Sequence, residues 1–244
     1  DENQLSNTWT MVSELIGEKE SSLFGASVSL SQDGSHLAVG APYYSNGDMT
    51  RIGRSYVYRQ VQESKWERVG GPMSGASSND LFGWSVSISP NAQSVAVGAP
   101  RLEGSLDSGY VKVFSFETDA WIMYGESMRI GDPGDRFGFS VSLAGVDTLY
   151  RVAIGAPGTS RNGEGSGLAS VYENGGRGWR PSGEDLLGDG WGENLGYAIS
   201  MASDAARIVV GVPNKKLDGV PVGQVRVVDV KSGGLLSAGG GFGG

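Results

Sequence analysis

Phe-Gly recurs along this chain at Phe24-Gly25, Phe82-Gly83 and Phe137-Gly138, with Leu195-Gly196 as a degenerate fourth, at spacings of 58, 55 and 58 residues. A second landmark follows each one: Gly40-Ala41-Pro42, Gly98-Ala99-Pro100, Gly155-Ala156-Pro157 and Gly211-Val212-Pro213, at offsets of 16, 16, 18 and 16 residues. A third register is marked by Trp9, Trp66, Trp121 and Trp179. Three landmarks in phase mean that one supersecondary unit is used again and again, because a unit of this size buries its apolar faces only against its neighbours.

Each unit reads as four short strands. Strand A covers 27–31, 85–89, 140–144 and 198–202, and its alternation of Val28 and Leu30 with Ser27 and Ser29 is that of a strand with two unlike faces. Strand B, at 37–40, 95–98, 152–155 and 208–211, is a continuous apolar run, as expected where both faces are buried. Strand C follows at 55–61, 110–117, 168–173 and 224–230, and strand D carries the tryptophan. Ser27, Ser85 and Ser140 are small enough to let an adjacent unit approach closely, and the proline after each strand B ends it because proline has no N–H for the ladder. The expectation is an all-β fold, a β-propeller of four four-stranded antiparallel blades. The repeats fall at about 15–69, 70–124, 125–181 and 182–234 of one domain spanning 1–234, and 235–244 reads as a flexible Gly-rich tail. Unit four has no tryptophan after strand C, whereas a D-type strand stands unassigned at 9–13; that strand is expected to complete blade four and close the ring.

Phe-Gly, then Gly-Ala-Pro, then a Gly-x-Val-x-Val strand and a Trp resemble the FG-GAP repeat, which builds the propeller at the N-terminus of integrin α subunits. The resemblance spans residues 9–230 and implies a location that is extracellular, at the cell surface or lumenal. It also implies calcium-dependent adhesion. The family's calcium loop is nevertheless missing from the A–B turns, which lack alternating oxygen ligands, so no cofactor is expected and calcium enters only through the resemblance.

The net charge of −8 argues against nucleic acid as a partner, since that contact needs a basic surface. No apolar run approaches the ~20 residues of a membrane span, so no membrane insertion is expected. The opening DENQLSNTW has no apolar leader, and the chain has no cysteine. His36, the one histidine, reads as a solvated turn residue, and Gly163-x-Gly165-x-Gly167 lacks the helix that a phosphate loop requires.

The long B–C loops, at 42–52, 100–108, 157–166 and 213–222, are expected to share one face with the D–A loops, at 17–23, 75–81, 131–136 and 188–194. These eight loops hold 12 acids and 7 bases, which makes the face acidic. The candidate binding residues are the loop aromatics Tyr43, Tyr44 and Trp191 and the acids Asp48, Asp107, Asp135 and Asp218; Asx turns are the competing role of such acids. No catalytic residue and no metal ligand stands out. The leading expectation is a non-enzymatic module that takes a protein partner on this face. A carbohydrate-binding or carbohydrate-cleaving propeller is the alternative, since loop carboxylates could serve such chemistry.

Overall fold

The computed structural model describes residues 9–101, 107–146, 149–174 and 178–230. Among them there is no helix, so none that is long and apolar enough to cross a membrane. The strands form repeated antiparallel meanders. Unit one consists of β1 (Ser27–Leu30), β2 (His36–Ala41), β3 (Arg54–Gln62) and β4 (Lys65–Arg68), with β5 (Met73–Ser74) returning onto β3. Unit two is β6 (Ser85–Ile88), β7 (Ser94–Ala99), β8 (Tyr110–Glu117) and β9 (Ala120–Met123). Unit three is β10 (Ser140–Val146), β11 (Leu149–Ala156), β12 (Leu168–Asn174) and β13 (Trp179–Pro181), with β14 (Leu186–Leu187) returning onto β12. Among the described residues unit four consists of β15 (Ile199–Met201), β16 (Arg207–Val212) and β19 (Gln224–Asp229); β17 (Lys216–Leu217) and β18 (Val220–Pro221) form a separate hairpin in its B–C loop.

The register is the same in each unit. Ser27 lies opposite Gly40, Ser85 opposite Gly98 and Ser140 opposite Gly155. This places a serine hydroxyl and a bare glycine on one face, here called the back, while Val28 and Leu30 or their equivalents point to the front. The back of each unit receives the front of the next. Ser27 donates to the Gly83 carbonyl, Ser85 to that of Gly138 and Ser140 to that of Gly196, each at 2.8 Å. In return the amides of Ile88, Leu143 and Met201 donate to the hydroxyls of Ser29, Ser87 and Ser142. The glycine is obligatory: a Cβ on Gly40, Gly98 or Gly155 would stand 1.9, 2.1 or 2.0 Å from that same carbonyl oxygen. Apolar packing fills the rest of each junction, as where Ala38 and Val57 of unit one meet Phe82, Val86 and Ile88 of unit two.

The tryptophans tie the outer strands together. The indole N–H of Trp121 donates to the Val69 carbonyl and that of Trp179 to the Tyr124 carbonyl.

The expected closing strand is not formed. Residues 9–13 have no strand conformation, and Trp9 and Met11 are 103% and 81% exposed. Val12, Ser13 and Leu15 lie instead beside Phe24, Val28 and Trp66 of unit one. The physical reason is that a D strand needs a strand C to pair with. Among the described residues the strand C without a D strand is β19, at the far end of the row, where Val225 and Val227 are each 64% exposed. The Gly-rich tail at 235–244 lies outside the described residues.

Candidate functional site

The loop face is built by the Phe-Gly landmark. The residue before each aromatic or its leucine substitute adopts a left-handed φ: Leu23 at 55°, Leu81 at 57°, Arg136 at 59° and Asn194 at 54°. The glycine after it is also left-handed, with Gly83 at 89°, where glycine avoids the Cβ penalty. This double bend aims the ring into the core and lays the D–A loop against the B–C loop of the preceding unit. Phe82 N–H donates to the Ile52 carbonyl, Phe137 N–H to that of Ser108 and Leu195 N–H to that of Ser166.

The residue two before the landmark holds the loop. Asp80 is fully buried and accepts the amides of Ala76 and Ser77; Asp135 accepts that of Asp132, and Glu193 that of Asp189. Asp135, a candidate binding residue, therefore also serves as a loop cap. Burial raises its pKa above the usual carboxylate value, against the lowering effect of the Asp132 amide.

The acidity expected of this face is in part neutralised by ion pairs within the chain. Asp80 pairs with Arg101 at 2.8 Å and accepts the Tyr110 hydroxyl at 2.6 Å. Burial, together with that carboxylate, pushes the Tyr110 phenol far above its ordinary pKa. Asp107, another candidate, bridges Arg129 at 2.6 Å and Arg101 at 3.5 Å. In unit four, Asp189 pairs with Lys215 and Arg226, both at 2.6 Å, and Lys215 also reaches Glu193 at 3.0 Å. Arg129 and Arg226 lie outside the loops proper, so a charge tally confined to loop residues omits them.

The remaining candidates are spread over the face. The Tyr43 ring carries the Arg51 guanidinium 5.0 Å from its centroid; the Tyr44 ring carries Arg54 at 3.8 Å and Lys19 at 5.5 Å. Both tyrosines thus have cations of the chain itself over their rings. Asp48 is exposed near the tip of the unit-one B–C loop. Asp218, with a left-handed φ of 51°, and Gly219 make the tight turn between β17 and β18. That hairpin was legible as Asp-Gly between Leu217 and Val220, within a stretch read as open loop.

Trp191 differs from these. It is 65% exposed, and its backbone lies against Gly163, with the next amide, Gly192, donating to the Glu164 carbonyl at 2.8 Å. Glu164 is part of a cleft of about 420 Å³ cut between the D–A and B–C loops of unit three and the Asn194 corner of unit four. Its walls include Asp132, Asp135, Arg136, Ser160, Arg161 and Asn194. Asp135 and Trp191 are the two sequence candidates that meet here, one in the wall and one beside the rim. Arg136 and Asn194 were missed, although their place immediately before the landmark puts them at the loop corner. Among the described residues no group of three or more His, Asp or Glu side chains lies together to hold a metal.

No family model matches the chain, and no curated protein sequence matches it. Solved structures similar to it include a TolB-type protein from Agrobacterium tumefaciens, at 11% identity over 86% of this chain, with a TM-score of 0.46. Another is the periplasmic gluconolactonase PpgL from Pseudomonas aeruginosa, at 12% identity over 86% of this chain, with a TM-score of 0.44. The chain spans 59% and 58% of the length of these structures. The FG-GAP and integrin resemblance is therefore corrected: no family model supports it, and these similar structures are of other kinds. Its landmarks have a local cause, the double bend before strand A and the bare glycine under the next unit's carbonyl, which a stacked four-stranded repeat can need whatever its descent. The adhesion and calcium expectations rested on that resemblance and are withdrawn with it.

Proposed function

We propose that this chain is a β-propeller arc of four blades that works as a non-enzymatic binding module, taking a protein partner on the loop face at units three and four. The observation that carries the reading is the exposed Trp191 beside a cleft lined by both carboxylates and guanidinium groups. An amphipathic aromatic on a rigid loop can anchor a partner at low entropic cost, and the mixed charge around it supplies orientation. The ion pairs that neutralise Asp80, Asp107 and Asp189 stiffen the scaffold and shift the expected contact away from a diffuse acidic face toward this cleft. An extracellular, cell-surface or lumenal location stays part of the proposal, and fractionation of the source cells checks it.

The same Trp191 favours one second reading, a carbohydrate ligand, because an exposed indole next to polar side chains can stack on a sugar ring. The test compares the wild type with Trp191→Ala, first on an immobilised support with extract of the source cells and then on a glycan array. The reading predicts that specific co-purifying proteins are lost by at least tenfold in Trp191→Ala, while the unfolding midpoint is unchanged. Loss confined to glycans would select the carbohydrate reading, and equal retention of every ligand by both proteins would overturn the site.

A further inference from the structure

Among the described residues the unit-to-unit junction occurs three times, and each of its two halves stands exposed once. Among the described residues no unit covers the front of unit one, and only Val12, Ser13 and Leu15 lie beside it: Val28 and Leu30 are 62% and 57% exposed, whereas their equivalents Val86, Ile88, Val141 and Leu143 are all below 9%. Among the described residues no unit covers the back of unit four. Val209, Val225 and Val227 are exposed there, and their counterparts Ala38, Val57, Ala96, Val111 and Val113 are buried. A Cβ on Gly211 would meet only Ala198 at 3.6 Å, where Gly40, Gly98 and Gly155 are each covered by the next unit's carbonyl. The hydroxyl of Ser200, equivalent to Ser29, Ser87 and Ser142, lies on this open face.

The outer strand is left over in the same sense. In units one to three the Val57, Val113 and Val171 carbonyls accept the amides of Val69, Tyr124 and Ser182, each three residues after a strand-D tryptophan. Val227 is the equivalent carbonyl in unit four, and Val12, three residues after Trp9, is the equivalent donor. These lie at opposite ends of the row.

We propose that a second copy of this chain covers the open back of unit four, docking its own unit one there and adding its residues 9–16 as the fourth strand beside β19. The contact repeats one already made three times within the chain: the Leu30 amide meets Ser200, the Gly25 carbonyl meets Gly211, and the Val12 amide meets the Val227 carbonyl. Strand addition of this kind satisfies the open edge of β19 with main-chain hydrogen bonds. The contact is head-to-tail, so its two sides are different surfaces.

Light scattering after size exclusion tests it with one front variant, Val28→Glu, and one back variant, Val225→Glu. Both side chains are exposed in the single chain, and a thermal melt confirms that each variant folds. The wild type should have a mass at least twice the 25.5 kDa of one chain. Each variant alone should run as a single chain, and an equimolar mixture should regain a 1:1 pair, because front and back each remain intact on one partner. As a second readout, mixing Val12→Cys chains with Val227→Cys chains should give a cross-linked pair under oxidation, in a protein that has no cysteine of its own. A wild type that is monomeric at all concentrations overturns the proposal, as does assembly that survives in either single variant, or a mixture that stays monomeric.

Discussion

Arg151 is 5% exposed and sits where units three and four meet, with one N–H donating to the Ala205 carbonyl at 2.9 Å and another facing Glu173 at 3.4 Å. Glu173, equally buried, also accepts from Arg180 at 2.9 Å and from Ser182 at 3.1 Å. Burial works to raise the Glu173 pKa, but the bonds from Arg180 and Ser182 and the two guanidinium charges outweigh it, and the net shift is downward. A carboxyl whose folded pKa is depressed adds stability that is present above its unfolded pKa of about 4.3 and is lost as the pH falls through the folded value. Glu173→Gln should therefore cost about 3 kcal/mol at neutral pH, since it strands a buried guanidinium. Its penalty should start to shrink below the unfolded pKa of about 4.3 and vanish only as the pH falls through the depressed folded value, where the wild-type carboxylate takes up its proton. Urea melts at pH 7 and pH 3.5 check both statements. None of this pairing was legible in the sequence. Arg151 and Glu173 are 22 residues apart and meet only because β11 and β12 pair in that register. The same is true of Asp107 with Arg129 and of Asp189 with Arg226, which is why the loop face read as more acidic than it is.

At the scale of the strand, most of the fold was legible. The alternation of serine with valine or leucine in strand A, the apolar run of strand B and the Gly-Ala-Pro stop each reflect a constraint that acts within a few residues, and β1, β2, β6, β7, β10 and β11 fall where those patterns place them. The returns of β5 and β14 onto strand C escaped, because two-residue pairings carry no period. So did the state of residues 9–13: their sequence is that of a D strand, but strand formation depends on a partner edge the sequence does not position. The serines of strand A give a paired prediction. Ser87→Ala removes the acceptor of the Leu143 amide at a buried junction and should cost about 1–2 kcal/mol. Ser200→Ala, at the same place in unit four, faces solvent in the single chain and should change the unfolding free energy of a dilute sample by less than about 0.5 kcal/mol. Equal costs at the two positions would mean that the second serine is not carrying the unit junction.

The whole molecule is a row of units joined by one repeated contact, with a loop face that grows out of the joints. The Trp191 cleft depends on that construction, because its walls come from the D–A and B–C loops of unit three and the Asn194 corner of unit four, held together by the Asn194 amide on the Gly165 carbonyl at 2.9 Å. Loosening the joint between units three and four should therefore weaken binding at Trp191 without touching a ligand. The central claim is that the glycine of strand B exists to admit the next unit's carbonyl. The most direct measurement compares the unfolding free energies of Gly98→Ala and Gly211→Ala in dilute solution. At Gly98 the new methyl would stand 2.1 Å from the Gly138 oxygen and 2.3 Å from the Ser85 hydroxyl, whereas at Gly211 it would find only ordinary contact. The expected result is a loss of about 2–3 kcal/mol for Gly98→Ala, the scale of an overpacked core, and a change within about 0.5 kcal/mol for Gly211→Ala. Comparable losses at both glycines, or no loss at Gly98, would contradict the stacking of units through this contact.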